Sequence, residues 1–231
     1  MTDATAPGDP TIAEDLLLLL FSPHDGVIHG EGRLHYPLGG AVLSQLALEE
    51  RVEIEDRGAW KGRTARAVGE APSDELLLDA WQRLADKPRA VQSLLASVGP
   101  SLRSPVLERL VKRGDLVEER RRLLKIFPST KLVDGGTGRR DALMEPVRAA
   151  LVDGVEPQPR TAVLAALLSA SGVLPSLRRD IPWSGDVQRR GKEFEKGDWG
   201  AQGVSRAVAA AAAAVAASAV ITTATVTSST Q

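Results

Sequence analysis

"LERLVKRGDLVEERRRLLKIFPSTKLVD", residues 107–134, contains the pattern that decides the fold. Apolar residues at helical spacing lead up to Gly114, and a glycine just past the last turn is typical of a helix end. Two short stretches with apolar residues follow, separated by a turn with a proline, as in a β-hairpin. The stretch therefore predicts a helix, a glycine cap and a two-stranded hairpin.

The same order of elements is predicted earlier in the chain, over residues 37–69. "PLGGAVLSQLALEE" has helical spacing, "RVEIED" alternates with period two, and "RTARAVG" is long enough to return as a second strand. The apolar positions agree in spacing, with Leu43, Leu46 and Val52 corresponding to Leu107, Leu110 and Leu116. Two explanations stay open: an internal repeat, or two uses of one common motif.

Most of the remaining chain is predicted to be helical. In "TIAEDLLLLLF" Thr11 and Glu14 have the spacing of a capping box, and the five leucines predict a helix buried on all sides. Ser73 is the predicted N-cap of a helix that carries Trp81 on its apolar face. Separate helices are predicted over 89–98 and 104–113, a central apolar helix over 158–177, and a polar, broken segment over 178–203. We therefore predict a mainly α, single domain of eight or nine helices with two small β-hairpins, one of them apolar and protruding.

Composition excludes several classes of protein. The chain has 231 residues, a net charge of −1 and no cysteine, which excludes disulfides, thiolate zinc sites and cysteine nucleophiles. Residues 1–10 have no basic, apolar signal pattern and are predicted to be a disordered leader, so we expect a cytoplasmic protein. Residues 207–231 carry no charge, but alanine is only weakly apolar; a buried helix over 205–220 is favoured over a membrane span. The predicted domain covers 11–221, and 222–231 is a flexible tail.

No stretch has the pattern of a catalytic or cofactor site. His24, His29 and His35 lie in a glycine-rich loop without accompanying metal ligands, so a loop role is favoured over metal binding. The nucleophile-elbow, zincin and phosphate-loop motifs are missing from the sequence. Arg139 and Arg140 stand at a predicted helix start, where an anion site is an alternative to a plain turn. We expect no enzyme activity, no metal and no cofactor.

The hairpin of residues 121–133 is the most informative feature for function. Arginines stand directly beside apolar residues in it, and the residues with predicted membrane or subunit contacts are Arg121, Arg122, Leu123, Leu124, Ile126 and Phe127. Apolar insertion combined with cations is typical of attachment to anionic membranes. Two alternatives stay open: a hairpin that buries its apolar face on the protein or on a second subunit, and a winged-helix unit that binds nucleic acid, which the net charge of −1 disfavours.

Four stretches together resemble a bacterial member of the Golgi phosphoprotein 3 family. They are "TIAEDLLLLLFSPHDGVI", "PLGGAVLSQLALEERVEI", "LERLVKRGDLVEE" with the following "LLKIFPSTKLVD", and "RTAVLAALLSASGVL". The resemblance implies a mostly helical domain with a protruding apolar hairpin. It also implies peripheral membrane binding through phosphatidylinositol 4-phosphate, whose headgroup is held in eukaryotic members by a tryptophan and by arginines from two helix starts.

The headgroup ligands of the family are carried over only in part. The family tryptophan falls near Gly30, one arginine falls on Gly39 and another on Pro100, while the fourth ligand is retained as Arg103. Arg33 lies close by in sequence and is added here as a candidate substitute. We therefore expect a non-enzymatic protein that binds acidic phospholipid surfaces through Arg103 and Arg33. The alternative is a protein–protein adaptor or homo-oligomer that uses the hairpin without lipid.

Overall fold

The computed structural model describes residues 8–56, 62–123 and 127–197, and the side chains of these residues except Asp56 and 120–129. Seven α-helices form in this part of the chain: α1 Ile12–Leu20, α2 His35–Leu48, α3 Glu75–Asp86, α4 Val91–Lys112, α5 Arg139–Arg148, α6 Pro159–Ala170 and α7 Gly185–Lys196. The strands are β1 Phe21–Ser22, β2 Val27–Ile28, β3 Val52–Asp56, β4 Arg63–Ala67, β5 Arg89–Ala90, β6 Leu116–Leu123 and β7 Phe127–Asp134. The predicted mainly α class is confirmed.

The strands form three small antiparallel sheets, with the orders β1–β2, β3–β4–β5 and β6–β7. Both predicted hairpins are confirmed, as β3–β4 and as β6–β7. The short pair β1–β2 and strand β5 were not predicted, because two-residue strands leave no period in a sequence.

The predicted count of eight or nine helices differs from the seven described. Residues 89–98 and 104–113 were predicted as separate helices, but α4 continues through Pro100 and Pro105. Each proline removes one backbone donor. The helix persists because its apolar side, which includes Leu95, Val98 and Leu102, is buried throughout.

Two further expectations for helices are wrong. Asp74, not Ser73, caps α3: its Oδ1 accepts the Leu76 N–H at 2.8 Å while Oδ2 accepts from Arg109 at 2.6 Å. Residues 185–196, expected to be polar and broken, form α7 with Ser184 as N-cap. The predicted helix over 205–220, the tail 222–231 and most of the leader lie outside the described residues.

α1 is the centre of the described structure. All nine of its residues are buried, and its capping box is confirmed, with Thr11 Oγ1 accepting the Glu14 N–H at 3.3 Å. It packs against α2, α4, α5 and α6. The predicted central position of α6 is also confirmed, since residues 162–168 are all buried. No helix in the described ranges is long and apolar enough to cross a membrane.

α1 carries two buried carboxylates, each paired with arginine. Glu14 accepts from Arg113 Nε at 2.6 Å and lies 3.7 Å from Arg109. Asp15 pairs with Arg139 and accepts from Arg160 Nε at 2.7 Å. Arg109 lies in α4 and Arg113 caps its C-terminal end, while Arg139 and Arg160 lie in the first turns of α5 and α6, so the two carboxylates connect three helices to the central one.

The same arginines make further contacts at the edge of this cluster. Arg139 also pairs with Asp115, whose second oxygen accepts the Thr137 hydroxyl at 2.7 Å. Burial lowers the pKa of the Arg109 guanidinium, but the hydrogen bond and charge of Asp74, with the charge of Glu14, raise that pKa above its ordinary value overall. Arg109 therefore stays charged at any physiological pH.

The two helix–hairpin units have the same geometry at the helix end. Glu50 and Gly114 both have positive φ, 55° and 78°. The next N–H in each unit returns to the same helical position, Arg51 to Leu46 O at 2.8 Å and Asp115 to Leu110 O at 3.0 Å. The correspondence of Leu46 with Leu110 is therefore structural, and Glu50 occupies the position that glycine occupies in the second unit.

Glu50→Gly is expected to stabilise the protein by about 0.5–1 kcal/mol, because a left-handed backbone is unfavourable for any residue with a Cβ. Gly114→Ala is expected to cost about 1 kcal/mol for the same reason; a Cβ there meets no atom within 4 Å, so the cost lies in the backbone alone. Urea unfolding measures both. Glu108→Gly, inside α4, is the control and should destabilise. A loss of stability in Glu50→Gly would contradict the conclusion that Glu50 occupies the left-handed helix-end position that Gly114 occupies in the second unit.

Asp15→Asn is expected to lower the free energy of unfolding by about 3–5 kcal/mol, because it leaves buried arginine charge without its partner. The control is Asp153→Asn. The Asp153 side chain is 50% exposed, and its carboxylate lies 3.2 Å from Arg148. That change should cost less than about 1 kcal/mol. Denaturant unfolding of both variants decides the point: equal and small losses would show that the cluster does not hold the helices together.

Candidate functional site

The structure brings the two predicted headgroup residues onto neighbouring segments. Arg103 lies in the second half of α4, and Arg33 ends the 3₁₀-helical turn Glu31–Arg33 just before α2. Arg103 Nε donates to the Glu31 carboxylate, which joins the two segments directly. This Glu31–Arg103 pair is at the surface, with side chains 50% and 41% exposed. Their lipid-binding role stays a prediction.

A glycine on α4 makes this arrangement possible. A Cβ at Gly99 would overlap the carbonyl oxygen of His35, so α4 can lie against the first turn of α2 only without a side chain there. Arg103 follows Gly99 by one helical turn. The close contact therefore places Arg103 beside the turn that carries Glu31 and Arg33.

The three positions that correspond to the missing family ligands provide no substitute side chain. Gly30 has φ 74°, and a Cβ there would lie 2.9 Å from Val173 Cγ1. Gly39 is buried where α2 meets α4, with Leu95 Cδ2 3.3 Å from a Cβ at this position. Pro100 is exposed one turn before Arg103.

An open groove of about 440 Å³ starts at Arg103 and follows α4 to the second hairpin. Its walls are formed by Arg103, Ser104, Leu107, Glu108, Val111, Lys112 and Glu118. Glu118 belongs to β6, so the groove connects the predicted headgroup arginine with the hairpin. The lining is mixed, with basic and acidic side chains around a short apolar floor.

The second hairpin is partly described. β6 and β7 pair from Leu116↔Asp134 to Leu123↔Phe127. At its base the turn at Gly26 contacts Lys131 and Leu132 of β7. Residues 124–126 and the side chains of 120–129 lie outside the description, and these include all the predicted contact residues: Arg121, Arg122, Leu123, Leu124, Ile126 and Phe127. Their contact role, and an apolar and protruding tip, stay predictions.

The two arginines at the start of α5 have structural roles, and the histidines are not part of a metal-ligand group in the described residues. Arg139 pairs with Asp15 and Asp115, and Arg140 is 5% exposed and donates to Asp180 at 2.7 Å and to Phe21 O at 2.9 Å. The glycine-rich start of α5 is therefore a plain turn whose arginines hold the interior. Within the described ranges no three His, Cys, Asp or Glu residues are grouped as metal ligands, and this includes the three histidines.

Sequence reasoning missed a second basic surface. Arg178, Arg179 and Trp183 are exposed between the 3₁₀-helical turn Leu174–Leu177 and α7. In the sequence they stand in a stretch expected to be polar and broken. The available signal was two adjacent arginines followed within a few residues by a tryptophan, but the sequence does not show that all three point to solvent.

Comparisons with known proteins agree with the four stretches that suggested a family. Residues 12–211 match the family model described as Golgi phosphoprotein 3 (GPP34). The match includes all seven helices and both hairpins. A search of curated proteins finds no match.

Proposed function

Because the chain belongs to the Golgi phosphoprotein 3 family, we propose that it is a non-enzymatic, peripheral membrane protein that binds the headgroups of acidic phospholipids. The observation that carries the proposal is the surface formed by Arg103 and Arg33 at the beginning of the α4 groove. Under this proposal the protein is cytoplasmic and reaches the membrane from that side. It needs no cofactor.

Arginine suits this role because its planar guanidinium binds phosphate oxygens through two parallel hydrogen bonds. The Arg33 side chain has no hydrogen bond or ion pair with any described residue, so its guanidinium donors are available. Arg103 is held by Glu31 in the absence of lipid. A headgroup phosphate would therefore compete with Glu31 for Arg103 and would bind Arg33 at no such cost.

This competition favours a phosphomonoester headgroup. A phosphomonoester carries about −1.5 to −2 charges at neutral pH, whereas the carboxylate of Glu31 carries one. A phosphodiester lipid with a single charge has less advantage over Glu31. Phosphatidylinositol 4-phosphate is therefore the proposed ligand among acidic lipids, with the arginines and apolar residues of the 121–133 hairpin as a second, less selective contact.

Substitutions on either side of the Glu31–Arg103 pair are expected to change lipid affinity in opposite directions. Arg103→Gln should weaken binding to vesicles containing phosphatidylinositol 4-phosphate about fivefold, the effect of one surface cation. Glu31→Gln should strengthen vesicle binding, because it releases Arg103 and removes a negative charge that repels the phosphate. Co-sedimentation measures both, with vesicles of phosphatidylcholine alone, with phosphatidylinositol, or with phosphatidylinositol 4-phosphate, at two salt concentrations.

The matched control is Arg66→Gln. Arg66 is 48% exposed and paired with Glu53, so this change removes the same charge from a similar ion pair elsewhere. Equal effects of Arg103→Gln and Arg66→Gln would contradict a headgroup site at Arg103 but would be consistent with general binding to acidic membranes. Absence of binding to any acidic vesicle would overturn the proposed function.

Self-association through the second hairpin is the alternative that a specific observation favours. The β6–β7 sheet has two strands in the described part of the chain, so neither outer edge has a strand partner there. Open edges can pair with another copy. In the first unit, by contrast, β4 is covered by β5.

The alternative predicts a mass that rises with protein concentration in sedimentation velocity experiments. Phe127→Ser should restore the monomer, because it makes the predicted apolar tip polar. Val27→Ser is the control, since Val27 is an apolar residue that is 48% exposed in another hairpin. A monomer at all concentrations would exclude this alternative, and oligomers unaffected by Phe127→Ser would place the contact elsewhere.

A further inference from the structure

Nearly every arginine with a described side chain is used within the protein itself. The described arginines bind carboxylates or backbone carbonyls, as Arg140 binds Asp180 and Arg190 binds Val152 O. Arg33, Arg178 and Arg179 are the exceptions: their side chains have no hydrogen bond or ion pair with any described residue, and all three are exposed. Unpaired guanidinium groups in a protein that pairs its other arginines so thoroughly indicate an external anionic partner.

The three arginines lie on two segments that touch. Gly30, which directly precedes the turn Glu31–Arg33, has its Cα close to Val173, since a Cβ there would be 2.9 Å from Val173 Cγ1. Val173 directly precedes the turn Leu174–Leu177, after which come Arg178 and Arg179. The segment that carries Arg33 and the segment that carries Arg178 and Arg179 are therefore in contact, although about 145 residues separate these arginines in sequence.

The segment of residues 178–183 is anchored to the protein interior by Asp180 and Ile181. Ile181 is fully buried, and its N–H donates to Leu177 O at 2.8 Å. Asp180 binds Arg140, which is itself buried and also donates to Phe21 O. Asp180 and Ile181 therefore fix the backbone between the exposed Arg178–Arg179 pair and the exposed Trp183. Their exposure is a consequence of the fold and not of a loose loop.

Local carboxylates do not neutralise this surface. Glu31 is engaged by Arg103, Asp180 by Arg140 and Asp186 by Arg189. The positive charge of the unpaired arginines therefore acts on the solvent side without a nearby free counterion from these segments. An anionic surface is the partner with complementary charge.

Trp183 identifies the kind of anionic surface. It is 42% exposed and follows the exposed Pro182. A tryptophan with an apolar ring and one polar N–H is most favourably placed at the boundary between headgroups and acyl chains. Arginine pairs beside such a ring have the composition of an interfacial membrane contact.

We propose that residues 178–183 form a second membrane-contact element, in which Arg178 and Arg179 bind phosphate groups of anionic phospholipids and Trp183 inserts its ring at the interface. It continues the surface of Arg33 and orients the protein on the bilayer. The inference rests on the proposed membrane function and adds to it a contact that involves neither Arg103 nor the 121–133 hairpin.

The test is binding of the full chain to vesicles of phosphatidylcholine with phosphatidylserine, which lack a phosphomonoester headgroup. The double variant Arg178→Gln/Arg179→Gln is expected to weaken the partition constant about 10- to 30-fold at 0.1 M salt, since each surface arginine contributes about fivefold. The control is Arg148→Gln/Arg189→Gln, with the same charge change at exposed arginines that are paired with carboxylates. The control is expected to bind within about threefold of wild type, because paired arginines contribute less.

Trp183 is tested separately by fluorescence. Vesicles with brominated acyl chains should quench the emission of the wild-type protein, and Trp183→Phe should lose most of this quenching. Melting temperatures of all variants should equal that of wild type, because the changed side chains are exposed.

The outcomes separate the two proposals. Wild-type binding with equal losses in the two double variants would overturn the second contact and leave the proposed function intact. Unchanged quenching in Trp183→Phe would overturn the insertion of Trp183. If the wild type ignores every acidic vesicle, both proposals fail, and binding of duplex DNA that depends on Arg178 and Arg179 would then assign these arginines to nucleic acid.

Discussion

The burial of two carboxylates on an otherwise apolar helix is the constraint on which the rest of the structure depends. Glu14 and Asp15 are 0% and 2% exposed within α1. A buried charge without a partner costs several kcal/mol, so arginines must come to α1 from elsewhere in the chain. They come from the ends of α4, α5 and α6, and their charged hydrogen bonds hold these helix ends against the central helix.

This constraint also explains where function can be located. Most arginines with described side chains bind carboxylates or carbonyls of the protein itself, so basic residues in the sequence are poor indicators of a binding surface. Arg139 and Arg140 illustrate the point, because both stand at a helix start and both are engaged inside. The informative arginines are those whose side chains have no partner among the described residues, namely Arg33, Arg178 and Arg179.

The repeated helix–hairpin unit is used in two different ways. In the first unit β5 pairs with β4, and α3 packs on the same strand. In the second unit the hairpin forms a sheet of its own in the described chain, and the α4 groove leads from it to Arg103. The hairpin of the first unit therefore belongs to a three-stranded sheet that packs on α3, while the hairpin of the second unit has no third strand in the described chain.

The sequence by itself determined the local structure and the family. The capping box at Thr11, the glycine cap at Gly114, both hairpins and the buried helices α1 and α6 follow from short-range patterns, because capping and periodicity act over a few residues. The helix α4 escaped this reasoning, since burial along its whole apolar side outweighs the local cost of two prolines.

Only the tertiary structure decided which polar residues are free. Whether an arginine is paired depends on carboxylates that are distant in sequence, as Asp15 is from Arg160 and Glu31 from Arg103. Contacts of this kind leave no period in the chain. For the same reason Arg178, Arg179 and Trp183 were passed over as part of a polar stretch, although the fold presents them on one rigid segment.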